Sequence, residues 1–309
     1  MLGKTKQAYY KRKRNLNQVL MEERIIIEYA REMRTDDPGM GCGKIWYKFN
    51  RNGSDICIGR DRFLLILHEN GFKLRGKVRS PRTTNSRHGY ALYPNLARGL
   101  LVTRPNQLWV SDITYITIWR SADDYFFCYL SVIMDDYHKE IVGYAVHETL
   151  DTAGCLKALE MALKKTAHER TQKLIHHSDR GTQYASSAYV TKLKANGIEV
   201  SMTENSDPKE NAASERVNNT IKNELLRGER FTSVRQVRET LARRIRFYNE
   251  ERPHMSLNMC TPLECRNMTG VIDKKWDRKL EKYLKAENGQ VVQPASKTND
   301  LSLQCQEKG

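Results

Sequence analysis

The sequence predicts an α/β protein, a mixed five-stranded sheet with flanking helices, preceded by a small all-α domain resembling a helix-turn-helix. Three observations lead there. Residues 108–147 hold three runs rich in Val, Ile, Tyr, Trp and Phe, separated by short polar turns. Two more short β-type runs then alternate with helical patterns, while residues 20–69 show helical periods alone.

The chain has 309 residues, of which 39% are hydrophobic and 29% charged, enough apolar surface for at least one sizeable core. No apolar stretch reaches the length of a bilayer span, and the basic N-terminus lacks the apolar segment of a secretory signal. A cytoplasmic setting is expected. Seven scattered cysteines, without a C-x-x-C pair, read as reduced thiols rather than a zinc set. Residues 1–104 hold 22 basic and 9 acidic side chains, so +13 of the net +15 sits in the first third. Such asymmetry points to a polyanion-binding head on a nearly neutral body.

In chain order, residues 1–16 form a flexible or helical basic arm around Lys11-Arg12-Lys13-Arg14. Helices are expected over 20–33, 44–49 and 60–69, the last closed by Asn70-Gly71. Three short helices in a basic region are compatible with a helix-turn-helix whose last member enters a DNA major groove. Arg60, Arg62, Lys73, Arg75, Lys77 and Arg79 are the candidate DNA contacts. Boundaries follow: a head over 1–71, a basic linker over 72–104, a catalytic core over 105–266, and a charged helix with a disordered tail over 267–309.

Within the core, strands over 108–119, 125–134 and 141–147 should form an antiparallel meander. A helix over 152–170 capped by Asp151, a strand over 173–177, a helix over 186–196 and a strand over 198–203 follow. Asp207-Pro208 opens a further helix toward Arg227, stopped by Gly228. Ser233 and Gln236 form a capping box for the next, which Pro253 ends. Trp109, Tyr115, Trp119 and Phe127 are expected in the core, and Asp135 and Asp136 in a turn.

Three carboxylates stand out. Strand alternation puts Asp112 on one face with Val110, Thr114 and Ile116, where an unpaired charge would cost several kcal/mol. Asp179 lies just past a buried-looking strand, where open α/β sheets gather functional groups. Glu215 lies on the helix after Pro208 and shares its face with Asn211, Asn219 and Lys222. Two strands and one helix bringing these acids together would make an all-oxygen site for Mg²⁺ or Mn²⁺, and two such ions suit phosphodiester chemistry.

With 35 residues between Asp179 and Glu215, the trio resembles the D,D(35)E triad of retroviral integrases and insertion-sequence transposases. The flanking words are Trp109-Val-Ser-Asp112-Ile-Thr-Tyr-Ile, His177-Ser-Asp179-Arg-Gly-Thr-Gln-Tyr184, Asn211-Ala-Ala-Ser-Glu215 and Tyr248-Asn-Glu-Glu-Arg252-Pro-His254. Together they resemble the OrfB-type transposases of the IS-three family, over residues 20–266. That resemblance implies an RNase H-like core that cuts the ends of a mobile element and joins the freed 3′-OH to another phosphodiester. It also implies two Mg²⁺ or Mn²⁺ ions held by Asp112, Asp179 and Glu215, with Lys222 against substrate DNA, and a bacterial, nucleoid-associated setting. Asn219 is a further candidate DNA contact. The expected partners are double-stranded DNA, as terminal inverted repeats and as target, and further copies of the chain. An upstream-frame helix-turn-helix and leucine-zipper protein, separate or fused, is another. Glu210 departs from the family's usual Asp and receives no catalytic role. A nuclease that hydrolyses without joining, and a DNA-binding regulator, are the other readings of these residues.

Overall fold

The computed structural model describes residues 6–51, 56, 58–74, 89–169, 172–204 and 208–272. They divide into two units between residues 77 and 78. The expected contacts Arg75, Lys77 and Arg79, the capping residue Asp207 and the charged helix over 274–286 lie outside the described residues.

The first unit has three helices. One helix, α1 (Lys6–Asp36), runs through both the expected arm and the expected first helix. No Gly or Pro interrupts residues 6–36, so nothing breaks it until Pro38. Helices α2 (Cys42–Arg51) and α3 (Arg60–Glu69) follow. Ile26, Ala30, Ile45, Phe63 and Leu67 are buried between them, and Phe49 meets the rings of Tyr29 at 5.2 Å and Phe63 at 5.4 Å. The Arg34 guanidinium donates to the carbonyls of Met40 and Phe72, tying the last turn of α1 to the chain beyond α3. Arg60, Arg62 and Lys73 are exposed.

In the second unit, β1 (Leu108–Trp119), β2 (Tyr125–Asp135), β3 (Ile141–His147), β4 (Leu174–Ser178) and β5 (Ile198–Met202) form one sheet in the order β3-β2-β1-β4-β5. β1, β2 and β3 form the expected meander, β4 pairs parallel to β1 and β5 parallel to β4, so β2 alone runs against the others. This is the mixed sheet of an RNase H-like core.

Each face is covered by helices. Val110, Ile116 and Ile118 point into a core closed by α7 (Ala212–Thr220), a π-helical segment over Ile221–Leu225, and α8 (Val234–Glu250). The alternate residues Trp109 and Ile113 pack toward α4 (Thr152–Lys165), the short α5 (Thr182–Ala185) and α6 (Ser187–Ala195). α4 lies so close to β3 that a Cβ at Gly143 would stand 2.2 Å from the Ala158 carbonyl oxygen. Asp151 caps α4 by accepting from Ala153 N–H, and the helix ends at Lys165, five residues short of expectation, where Thr166 turns back to the Ala162 carbonyl.

Three local departures matter below. Pro208 opens a 3₁₀ turn, Pro208–Asn211, and the helix beyond changes to π geometry at Ile221. Ser233 accepts from Gln236 N–H as expected, but the Gln236 side chain accepts from Thr232 rather than from Ser233. Of the two acids expected in a turn, Asp135 is the last residue of β2 and fully buried, while Asp136 opens the β2–β3 turn. The short α9 (Pro262–Cys265) has a complete capping box between Thr261 and Glu264.

Among the described residues no helix is long and apolar enough to cross a membrane, and the five described cysteines are free thiols.

Candidate active site

Strand register brings the first two acids together. β1 and β4 pair parallel with Val110 opposite His177, so two residues further along each chain place Asp112 beside Asp179. Adjacent strands stand about 4.8 Å apart. Asp112 faces α7, where Asn218 Nδ2 donates to its Oδ2 at 2.9 Å, while Ile113 N–H donates to Oδ1 at 2.8 Å. Burial, first, and then the neighbouring charges of Asp179 and Glu215 push the Asp112 carboxyl up to about 7, against the two hydrogen bonds. A carboxyl so placed is either protonated or met by a cation.

Asp179 follows the last residue of β4. Its Oδ1 accepts Gly181 N–H at 3.0 Å in a tight turn. A Cβ at residue 181 would meet that same oxygen at 2.9 Å, so only glycine leaves the carboxylate where it is. Gly181→Ala is therefore expected to swing Asp179 aside, lowering DNA cleavage about tenfold or more. Its thermal midpoint should stay within a few degrees of wild type, since the displaced group is the end of a side chain. Equal cleavage by the purified variant would contradict this placement.

Glu215 sits exposed in the first turn of α7, one turn before Asn218. The residue on Asp112 is Asn218, at +3 from Glu215, which the sequence reading did not single out. Asn219 points outward and accepts from Asn223. Asn218 Oδ1 is buried without a hydrogen-bond partner. Lys222 lies in the π segment, and such segments frequently mark functional sites. Its ammonium lies 3.9 Å from the ring centroid of Tyr115, and burial lowers its pKa. Among the described residues, no three His, Cys, Asp or Glu side chains are already gathered to hold a metal ion.

A network that sequence reading did not find holds the approach to α7. His177, buried, contacts Ser201 Oγ through Nδ1 and the Glu210 carbonyl through Nε2. Glu210 accepts from Arg98 and from Glu204 N–H, and Glu204 accepts from Asn95 N–H. The 3₁₀ turn before Glu215 is thereby fastened both to β5 and to the segment around Asn95. Only the Arg98-to-Glu210 distance in sequence hid it. His176 contacts Ser111 Oγ and Tyr189 OH, and burial lowers its pKa to about 3, so it is a neutral core residue. His254 meets the Tyr248 ring edge to face and contacts Arg252, which pairs with Glu224 at 2.6 Å. Trp109 is buried as expected, whereas Tyr115, Trp119 and Phe127 are not core residues: Phe127 is 38% exposed and the other two are half-buried.

Two models described as "Integrase core domain" match residues 102–208 and 196–262. The first span contains Asp112 and Asp179, and the second contains Glu215. An insertion element IS600 protein of 31 kDa from Shigella sonnei is 34% identical over 224 residues, covering 72% of this chain and 79% of its own. The transposase for insertion sequence element IS629, also from Shigella sonnei, is 31% identical and covers 72% of each chain. Among solved structures, the HTLV-2 integrase catalytic core domain in complex with magnesium matches at 15% identity and a TM-score of 0.40, covering 53% of this chain and 97% of that one. The catalytic domain of Mos1 mariner transposase matches at 18% and 0.37, covering 44% and 68%.

These matches define a catalytic core of the integrase class, a polynucleotidyl transferase acting on DNA. The chain belongs to the insertion-sequence transposases of the IS-three family, OrfB type.

Proposed function

We propose that Asp112, Asp179 and Glu215 are the D,D(35)E acids of this transposase and hold two Mg²⁺ or Mn²⁺ ions once DNA is bound. The observation that carries this is the register of Asp112 beside Asp179, with Asp112's charge opposed by both of the other acids. The donor set fits a hard cation, being all oxygen. Glu215 lies exposed on the first turn of α7, where a change of rotamer alters its reach without moving backbone.

Bound divalent ions supply activation of an attacking oxygen and stabilisation of a leaving one. The chain's own residues do the rest. Asn218 and Ile113 N–H fix the Asp112 carboxylate, and Gly181 N–H fixes Asp179. The His177, Glu210 and Arg98 contacts hold the turn from which Glu215 departs. Lys222 contributes positive charge beside the scissile phosphate. In the first reaction water attacks phosphorus and the 3′ oxygen leaves; in the second the freed 3′-OH attacks a target phosphodiester and another 3′ oxygen leaves. Arg60, Arg62 and Lys73, with Arg75, Lys77 and Arg79 of the linker, bind DNA phosphates at the element ends. Several copies assemble on paired ends, alone or with the upstream-frame protein.

A labelled element-end duplex incubated with Mn²⁺ tests this. Strands lengthened by joining are expected; shortened strands alone would make the protein a hydrolytic nuclease, and no product would leave a DNA-binding regulator. Because the Asp112 proton must leave for a cation to bind, Mn²⁺ affinity is expected to rise up to about tenfold per pH unit below about 7 and level off above it. Titration calorimetry from pH 5.5 to 8.5 reads this, and a flat profile would contradict it.

A further inference from the structure

Pairing with β4 leaves β1 at Val110, and beyond that point the outward face of the β1–β2 hairpin carries a continuous row of rings. Centroids stand 4.9 Å apart from Tyr115 to Phe127, 5.5 Å from Phe127 to Tyr125 and 5.4 Å from Tyr125 to Trp119. Tyr125 is 52% exposed and Phe127 is 38% exposed, an unusual cost for side chains that strand propensity alone would have turned inward. Two cations sit on this row: Lys222 Nζ lies 3.9 Å from the Tyr115 centroid, and the Arg230 guanidinium 4.5 Å from that of Trp119. Lys222 comes from the π segment that packs on Asp112's side of the sheet, whereas Tyr115, about 10 Å along β1 from Asp112 by strand rise and at an odd offset from it, lies on the opposite face, so Lys222 joins the two.

Rings in series with a cationic margin are the chemistry of single-stranded nucleic acid binding, where bases stack on aromatic faces and cations meet the backbone. We propose that Tyr115, Phe127, Tyr125 and Trp119 form a stacking platform for unpaired nucleobases of the DNA strand that leads into the active site. A self-complementary pairing of two copies through this face would bring Lys222 and Arg230 toward their own counterparts, whereas a polyanion is attracted to both. At the hairpin tip Asp123 and Asp124 are exposed, with Asp124 3.8 Å from Arg120, so the strand runs from the rings toward Lys222 and away from the tip. The inference rests on the reading that Asp112 marks where DNA is cut.

The test uses the full chain in EDTA, with fluorescence anisotropy on oligo-dT and on a fully paired duplex at one salt concentration. Tyr125→Leu and Phe127→Leu keep apolar cover while removing the π face. Each is expected to weaken oligo-dT binding about tenfold, with duplex affinity within twofold of wild type, and Phe127→Tyr is expected to bind as wild type. Unchanged oligo-dT affinity in the double Leu variant, with an unaltered melting curve, would overturn the platform. So would a change of sedimentation coefficient in that variant without a change in oligo-dT binding, which would make the face a protein interface. Should the Leu variants lose melting cooperativity, quenching of ring fluorescence by oligo-dT in the wild-type chain decides: no quenching overturns the proposal. Because no metal is present, failure of metal-dependent cleavage in the wild type counts against the active-site reading alone.

Discussion

Asp112→Asn is expected to lower DNA cleavage on the order of 10³-fold or more while making the metal-free protein more stable. The loss follows because the acid between Asp179 and Glu215 supplies charge to the cations that stabilise the transition state, several kcal/mol at about 1.4 kcal/mol per tenfold. The gain follows from linkage. The carboxyl's pKa is raised from 3.8 to about 7 by folding, so the folded state binds the extra proton and stability falls as pH rises through that interval. Above pH 7 the wild-type chain carries the full charge, and the amide does not. An Asn side chain keeps the bond from Ile113 N–H, and a turned Asn218 amide can accept from it through the oxygen that now lacks a partner. We expect about 1–3 kcal/mol of added stability at pH 8, shrinking toward zero at pH 4. Denaturant unfolding at both pH values reads it, together with DNA binding that stays as in wild type. A variant that cuts at the normal rate removes Asp112 from the chemistry.

Glu140→Gln is expected to have the largest effect on stability, about 3–5 kcal/mol near pH 6. Glu140 is buried at the β2–β3 turn among His138 Nε2 at 2.9 Å, Lys165 Nζ at 2.6 Å and Arg266 at 2.5 Å. Burial opposes its charge, but these three bonds outweigh burial and hold its pKa near 2. His138 is likewise desolvated, yet Asp135 and Glu140 raise it to about 9. Removing the carboxylate leaves three positive groups without it. Signs differ at the two ends of the pH scale. Glu140's contribution is present above about 4.5 and lost as pH falls toward 2, while that of His138 is present below about 6.5 and lost as pH rises through 9. The cluster therefore stabilises most between those limits, and the gap between wild type and variant should narrow on both sides. In thermal melts near pH 6 the variant should lose about 6–20 °C. A gap that stays constant from pH 4 to 10 would mean that these charges do not contribute.

Much of this was legible in residue order. Five strands announced themselves because β-branched and aromatic runs were bounded by polar turns, and α3, β1 and β3 begin and end where their patterns do. Asp112 and Asp179 stood out because a carboxylate inside an apolar strand, or at its carboxyl end, needs a reason. What stayed hidden depended on phase or on distance. Asn218 and Asn219, at +3 and +4 from Glu215, both share its face in a 3.6 period, and only the packing of α7 on β1 decides that Asn218 holds Asp112. Arg98 and Glu210 meet across more than a hundred residues, and no local pattern encodes that. Tyr115, Phe127 and Trp119 have the composition of a core, but they lie where the β1–β2 hairpin runs on past its pairing with β4, which ends at Val110, and with β3, which ends at Tyr129.

The most direct test of the central claim is a crystal structure of the chain with a cleaved element end and Mn²⁺, read by anomalous scattering. Two peaks are expected, one shared by Asp112 and Asp179 and one shared by Asp112 and Glu215, each touching the scissile phosphate. Peaks away from these acids, or a Glu215 carboxylate still turned to solvent with DNA seated, would contradict it.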